Sequence, residues 1–213
     1  MNTLVDTDVV YKAIIYNLIK ELITERFEGQ TSAILGAAPF LMRRKLARLP
    51  GDQAEAMIVR LEVLMATVEV LEPTEHEISL AASIEAAAQS ANVALDAGES
   101  QLCAALLQRN LPRLITGDKR AIAAIEALLP ICPELSGLCG RVYCFEQCVL
   151  DRLNQFGGYN LIRSSICNFP DLDKTLMICF SCLAQAQHED HTRACLESYI
   201  SDLRSKAPLV LGL

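Results

Sequence analysis

Thr3-Leu4-Val5-Asp6-Thr7-Asp8-Val9-Val10 is the stretch whose reading decides the fold. Three residues suited to a strand end in two closely spaced acids. From Val9 onward the apolar positions, among them Ile14, Leu18 and Leu22, recur near a 3.6-residue period. The stretch therefore reads as strand, turn, helix.

The same unit recurs downstream. Residues 112–116 suit a short strand, Gly117-Asp118 follows, and a helical pattern runs to about Leu129. Between the two units, Glu28-Gly29-Gln30 breaks the first helical pattern. Residues 31–49 read as a second helix, Pro50-Gly51-Asp52 as a turn and residues 53–65 as a third helix. The β-branched run 67–71 suits a strand. Thr74 with Glu77 fits a capping box that starts an alanine-rich helix to about Gln89. Residues 91–95 form a link, and Asp96-Ala97-Gly98-Glu99 precedes a helix over 100–109. Strands alternating with helices predict an α/β fold, a small parallel sheet flanked by many helices, because parallel strands need crossovers.

After Pro133 the character changes. Seven of the nine cysteines lie from Cys139 onward, and the expected helices over 141–155, 173–187 and 192–204 are separated by Gly157-Gly158 and Asn168-Phe169-Pro170. The expected division is a sheet-bearing domain over 1–130 and a mainly helical, Cys-rich extension over 131–213.

Composition sets bounds on this reading. At 52% hydrophobic and 21% charged residues the chain can pack a core and is not of the disordered type. The longest apolar candidate, 176–183, falls short of a membrane span and contains Ser181. No signal-peptide pattern precedes the first strand. The expectation is a cytoplasmic protein with no membrane partner. An odd cysteine count without a secretory signal favours reduced thiols. The net charge of −7 counts mildly against a nucleic-acid binder, though acids gathered in a metal site contribute to it.

Three acidic positions share one kind of place. Asp6 and Asp118 each follow a strand and open a helix, and Asp96 with Glu99 stands at the start of the helix before the second of those strands. In an open parallel sheet the strand C-termini share one edge, where ligands bind. Asp6, Glu99 and Asp118 should therefore converge there, with Asp96 beside them. The ordinary reading of an Asp before a helix is a cap, worth about 1 kcal/mol, and Asp96 with Glu99 has the spacing of a capping box. Crowded carboxylates raise one another's pKa, and a divalent cation relieves that cost. Oxygen-only clusters suit Mg²⁺ or Mn²⁺. The matching chemistry is phosphodiester hydrolysis, with the metal polarising the phosphoryl oxygen and activating water. The residues expected at the site are thus Asp6, Glu99 and Asp118 as catalytic acids, with Asp96 as an additional metal ligand.

At these positions the chain resembles the PIN-domain family. Leu4-Val5-Asp6-Thr7-Asp8 is similar to that family's opening strand, Leu95-Asp96-Ala97-Gly98-Glu99-Ser100 to a Gly-Glu form of its third acidic position, and Ile115-Thr116-Gly117-Asp118-Lys119-Arg120 to its final motif. The resemblance covers about residues 1–130. It implies a metal-dependent ribonuclease with RNA as substrate, commonly the toxin half of a toxin–antitoxin pair, and hence an antitoxin-like protein partner and a homodimer. Thr116 matches the family's frequent hydroxyl near its last acid and is expected to contact the substrate. One departure stands out: the family often carries a Glu on the helix after the first, and residues 31–49 contain no acid. Glu62 and Glu69 both stand as substitutes. That gap leaves a second reading, a catalytically weak or inactive PIN-like interaction module.

Lys119 and Arg120 adjoin Asp118 and suit phosphate contacts, which position a substrate without reading its sequence. Arg43, Arg44, Lys45 and Arg48 either meet a phosphate backbone or, more ordinarily, form a solvated helix face. In the C-terminal region Cys179-Phe180-Ser181-Cys182 is a lone CxxC, with His188 and His191 nearby. The ligand types for zinc are present. Cys144 and Cys148, however, have ordinary core spacing, and buried cysteine packs as a small hydrophobe.

Overall fold

The structure is a computed structural model that describes residues 2–24 and 31–213. The break expected at Glu28-Gly29-Gln30 lies outside the described residues.

Strand β1 (Thr3–Val5) leads into helix α1 (Thr7–Tyr16), in which Val9 through Tyr16 are all buried. Asn17 closes α1 in the left-handed conformation, at φ 57°, and its amide reaches back to the Ala13 and Ile14 carbonyls. One π-helical turn follows over Lys20–Thr24. Residues 31–49 are not one helix. They divide into strand β2 (Ser32–Leu35), a turn at Gly36 and helix α2 (Ala38–Leu46). All four residues of β2 are buried. A strand covered on both faces shows no apolar–polar alternation, so its sequence pattern merges with that of the helix beyond it.

Helix α3 (Gly51–Met65), strand β3 (Glu69–Leu71) and helix α4 (Glu75–Ala91) come next. The capping box at α4 forms as read: Thr74 Oγ1 accepts from the Glu77 amide at 3.2 Å, and a Glu77 carboxylate oxygen accepts from the Thr74 amide at 2.8 Å. Helix α5 (Ala97–Gln108), strand β4 (Arg113–Thr116) and helix α6 (Lys119–Leu128) follow.

Residue 130, the boundary expected from the sequence, falls before another strand of the same sheet. Val142–Cys144 forms β5, where only a helix was expected, and helix α7 (Phe145–Phe156) starts directly after it. Helix α8 (Tyr159–Cys167) was not anticipated. Helix α9 (Lys174–Cys179) stops well short of Gln187, and helix α10 (Glu189–Lys206) ends the helical series. Two short 3₁₀ turns, Pro133–Leu138 and Pro170–Leu172, join these pieces.

The five strands form one parallel sheet in the order β3-β2-β1-β4-β5. Leu4 lies opposite Ala33 on one side and Leu114 on the other, and Val5 opposite Ile115. Successive strand residues point to opposite faces, and the two cores divide accordingly. Val5, Ile34 and Ile115 pack with α1, α2, α3, α7 and α9, while Leu4, Ala33, Leu35 and Leu114 pack with α4, α5 and α6. Helix α10 contributes to both, through Leu196 on one face and Ile200 and Leu203 on the other. Both cores thus draw on residues from either side of position 130.

Cys167 and Cys182 form a disulfide, with Cα atoms 4.9 Å apart. This corrects the expectation that all the thiols are reduced. The end of α8 and the turn after α9 bring the two backbones within the range a disulfide requires. The Cys179-Phe180-Ser181-Cys182 pair is split as a result: Cys182 is bonded to Cys167, and Cys179 is buried in the core. His188 caps α10 instead of facing a cysteine, its Nδ1 accepting from the Asp190 amide at 3.4 Å.

Candidate functional site

A cleft of about 760 Å³ opens at the C-terminal edge of β1 and β4. Asp6, Asp8, Asp96, Glu99 and Asp118 all line it, so the three acidic positions do converge on one space. The opposite wall is α2, which contributes Ala38, Leu41, Met42 and Lys45.

Each acid is held differently. Asp6 stands at the N-cap position of α1, but its carboxylate makes no cap hydrogen bond. It accepts instead from Thr116 Oγ1 at 2.8 Å. Burial pushes its pKa up, the Thr116 bond opposes that, and the charge of Asp8 adds to the rise. The Asp8 and Thr7 amides at the start of α1 also lower it, so the Asp6 carboxylate is shared between the helix start and Thr116. Thr116 is buried beneath the cleft, and its oxygen also accepts from the Asp118 amide at 3.1 Å. The hydroxyl expected to touch substrate thus ties the first acid to the last.

Asp96 and Glu99 do form a capping box, with reciprocal amide–carboxylate bonds of 2.8 Å each. Glu99 is nevertheless pushed up to about 7, by burial first and then by the charges of Asp96, Asp118 and Asp6, against its hydrogen bond from the Asp96 amide. Asp118 caps α6, accepting from the amides of Arg120 at 2.7 Å and Ala121 at 3.3 Å, and the Arg120 guanidinium closes on it at 2.8 Å. Burial alone would raise Asp118, but the bonds from the Arg120 side chain and from these amides hold it below the usual carboxylate range.

The basic residues divide. Arg120 is exposed at the lip of the cleft and engaged with Asp118. Lys119 turns its ammonium to the buried carboxylate of Glu146 and to Thr175 Oγ1, at 3.0 Å for the latter. Neither partner was legible as part of a site.

A second buried network was also missed. The Lys12 ammonium lies 2.7 Å from Asp8 and 2.8 Å from Asp173, and these two carboxylates raise its pKa although burial alone would lower it. Lys12 is the lone charge in the buried run Val9–Tyr16, which is the signal that it needs a partner. Gly117 leaves room for this pair, since a Cβ there would sit 2.6 Å from Asp8 Oδ2 and 3.0 Å from Lys12 Nζ. Asp173 and Thr175 come from the segment leading into and through α9, so residues beyond 130 support the floor of the cleft.

Neither Glu62 nor Glu69 lines the cleft, so neither takes the place of the acid that residues 31–49 lack. Among the described residues, no three His, Cys, Asp or Glu side chains are already disposed around one ion position. The donor chemistry nonetheless fits a hard divalent cation. Carboxylates from three elements face one space, and their mutual charge contributes to raising Glu99 toward neutrality. An ion would compete with Arg120 for Asp118 and with the capping box for Glu99.

No family model matches the chain, and no curated protein does. Among solved structures, VapBC2 from Rickettsia felis, bound to a DNA fragment from their promoter, is similar at a TM-score of 0.48 and 12% identity, covering 68% of this chain and 98% of that one. FitAcB from Neisseria gonorrhoeae is similar at a TM-score of 0.46 and 20% identity, covering 57% and 91%. Likenesses at this level say nothing of function. No helix among the described residues is long and apolar enough to cross a membrane.

Proposed function

We propose that the chain is a metal-dependent ribonuclease that hydrolyses phosphodiester bonds at the acidic cleft, with Mg²⁺ or Mn²⁺ bound by Asp6, Glu99 and Asp118 and assisted by Asp96. The observation that carries this reading is the convergence of those acids on one cleft, with the Thr116 hydroxyl tying Asp6 to the Asp118 amide. A bound divalent ion would supply phosphoryl polarisation and an activated water. Thr116 fixes the Asp6 carboxylate and, through the Asp118 amide, the start of α6. Arg120 at the lip can exchange its bond to Asp118 for a substrate phosphate, a step that frees a carboxylate oxygen as the substrate arrives. By the PIN resemblance of the three motifs, the partner would be an antitoxin-like protein and the chain a homodimer.

A second reading is a PIN-like interaction module with weak or no cleavage. The specific observation favouring it is the α2 wall, where Leu41, Met42 and Lys45 stand and no acid faces the cleft.

The discriminating experiment is cleavage of labelled single-stranded RNA with Mg²⁺ or Mn²⁺, wild type beside Asp6→Asn and Asp118→Asn. Cleavage that requires the metal and falls by about a hundredfold or more in both variants, with unchanged circular dichroism, supports the nuclease. A folded wild type that leaves RNA intact under every metal supports the module.

A further inference from the structure

Helix α2 carries a feature that the acids do not use. Leu41 and Lys45, four residues apart, line the cleft. One step around the helix, Phe40, Arg44 and Arg48 follow one another at the same spacing, and side chains four apart on a helix are neighbours. All three are exposed, Phe40 at 75%. Arg48 lies just past the helix end, but Ala47 keeps helical angles and the Arg48 amide still bonds the Lys45 carbonyl at 3.3 Å, so the row continues. It runs for about 12 Å along the face of α2 next to the one that lines the cleft, and none of its three residues is itself part of the lining.

The charge of this row is uncompensated. No acid occurs between Thr31 and Gly51. Among the described residues neither Arg44 nor Arg48 has an ion-pair partner. A chain of net charge −7 as a whole repels a polyanion. Here two guanidiniums without an ion-pair partner among the described residues and an open aromatic ring stand on the outer face of the helix that walls a cleft floored with acids.

We propose that this row is the track by which a single-stranded polynucleotide enters the cleft, with Arg44 and Arg48 pairing its phosphates and Phe40 stacking a base. The inference rests on the nuclease reading of the same cleft. An exposed ring suits a single strand, whose bases are free to leave their stack, and guanidiniums suit phosphate oxygens. The track holds RNA without the metal, because none of its three residues is an acid.

The test is fluorescence anisotropy of a 5′-labelled twelve-residue oligouridylate in EDTA, where binding is read without cleavage. Wild type should bind. Arg44→Glu with Arg48→Glu should weaken binding more than tenfold and reduce the slope of log affinity against log salt by about 1.4, the value for two phosphates on a single strand. Phe40→Ala should weaken binding by about 5- to 150-fold with the salt slope unchanged, and Phe40→Trp should restore it. All substituted positions are exposed, and matching melting curves would confirm the fold. Affinity untouched by both the Arg and the Phe changes, or no binding by wild type, overturns the track and leaves this face to a protein partner. The two readings fail separately. Loss of EDTA binding in the variants with no cleavage by wild type sinks the nuclease and keeps the track. Cleavage by wild type and the Arg variant at equal rates under limiting RNA sinks the track and keeps the nuclease.

Discussion

Glu99 closes the capping box on the Asp96 amide and also faces the charges of Asp6, Asp96 and Asp118, so its protonation state links the start of α5 to the cleft. Its folded pKa, about 7, lies above the ordinary carboxylate value. Between those two pH values the folded protein holds a proton that the unfolded chain releases, so this group's contribution to stability falls as pH rises through that window and is flat above it. In EDTA, the urea midpoint of wild type should therefore fall between pH 5 and pH 8 by more than that of Glu99→Gln, which has no proton to lose there. Parallel curves for the two proteins would count against the shift. This double role also limits what a sequence can disclose. Asp96 and Glu99 satisfy the cap pattern and the site pattern equally, and only the placement of the other acids separates them. For Asp6 the cap reading, ordinarily the safer one, is incomplete, because the carboxylate takes the Thr116 hydroxyl as well as lying against the Thr7 and Asp8 amides at the start of α1.

At the scale of elements, the turn between β4 and α6 shows how tightly the floor is built. Gly117 has no left-handed backbone requirement, so the objection to a side chain there is contact alone: the Cβ would press on the carboxylate of Asp8 and the ammonium of Lys12. Gly117→Ala should cost about 1–3 kcal/mol, the usual range for an overpacked interior position. Gly51→Ala, at the first residue of α3 with nothing within 4 Å, should be neutral or slightly stabilising. Equal melting temperatures for the two variants would show that Asp8 and Lys12 can move aside. The strand–turn–helix units at Asp6 and Asp118 were legible because an acid and a change of period mark each turn. Strands β2 and β5 were not. Ser32–Leu35 is buried throughout and apolar from Ala33 on, and Val142–Cys144 is three residues long and passes into α7 with no intervening turn. Neither has the alternation by which a strand is read, and a lone glycine at Gly36 or Gly140 is too weak a breaker to supply it.

For the whole molecule, the question is whether residues 1–130 can stand alone, as the change in composition after Pro133 suggests. The packing argues against it on both faces of the sheet. On one, Phe145, Val149, Leu176 and Phe180 share a core with Val5, Val9 and Ile115; on the other, Val142, Cys144 and Val210 share one with Leu4 and Leu114. The electrostatics point the same way. Without Asp173, Lys12 keeps only Asp8, and Lys119 loses its partners Glu146 and Thr175. An ion pair broken on one side commonly costs several kcal/mol when the remaining charge stays buried. Truncation after Leu129 should therefore abolish the cooperative thermal transition, not merely lower its midpoint, since exposure of two cores together with the loss of the Asp173 and Glu146 carboxylates exceeds the 5–15 kcal/mol by which domains are ordinarily stable. The full chain carrying Asp173→Asn separates the two causes: it keeps both cores, and it should still melt cooperatively but at a lower temperature. A truncated protein that melts in one sharp transition and retains the dispersed amide spectrum of a packed core would show that the first 129 residues hold the acidic cleft without help. The network through Asp173 and Thr175 would then be a later addition to a self-sufficient site.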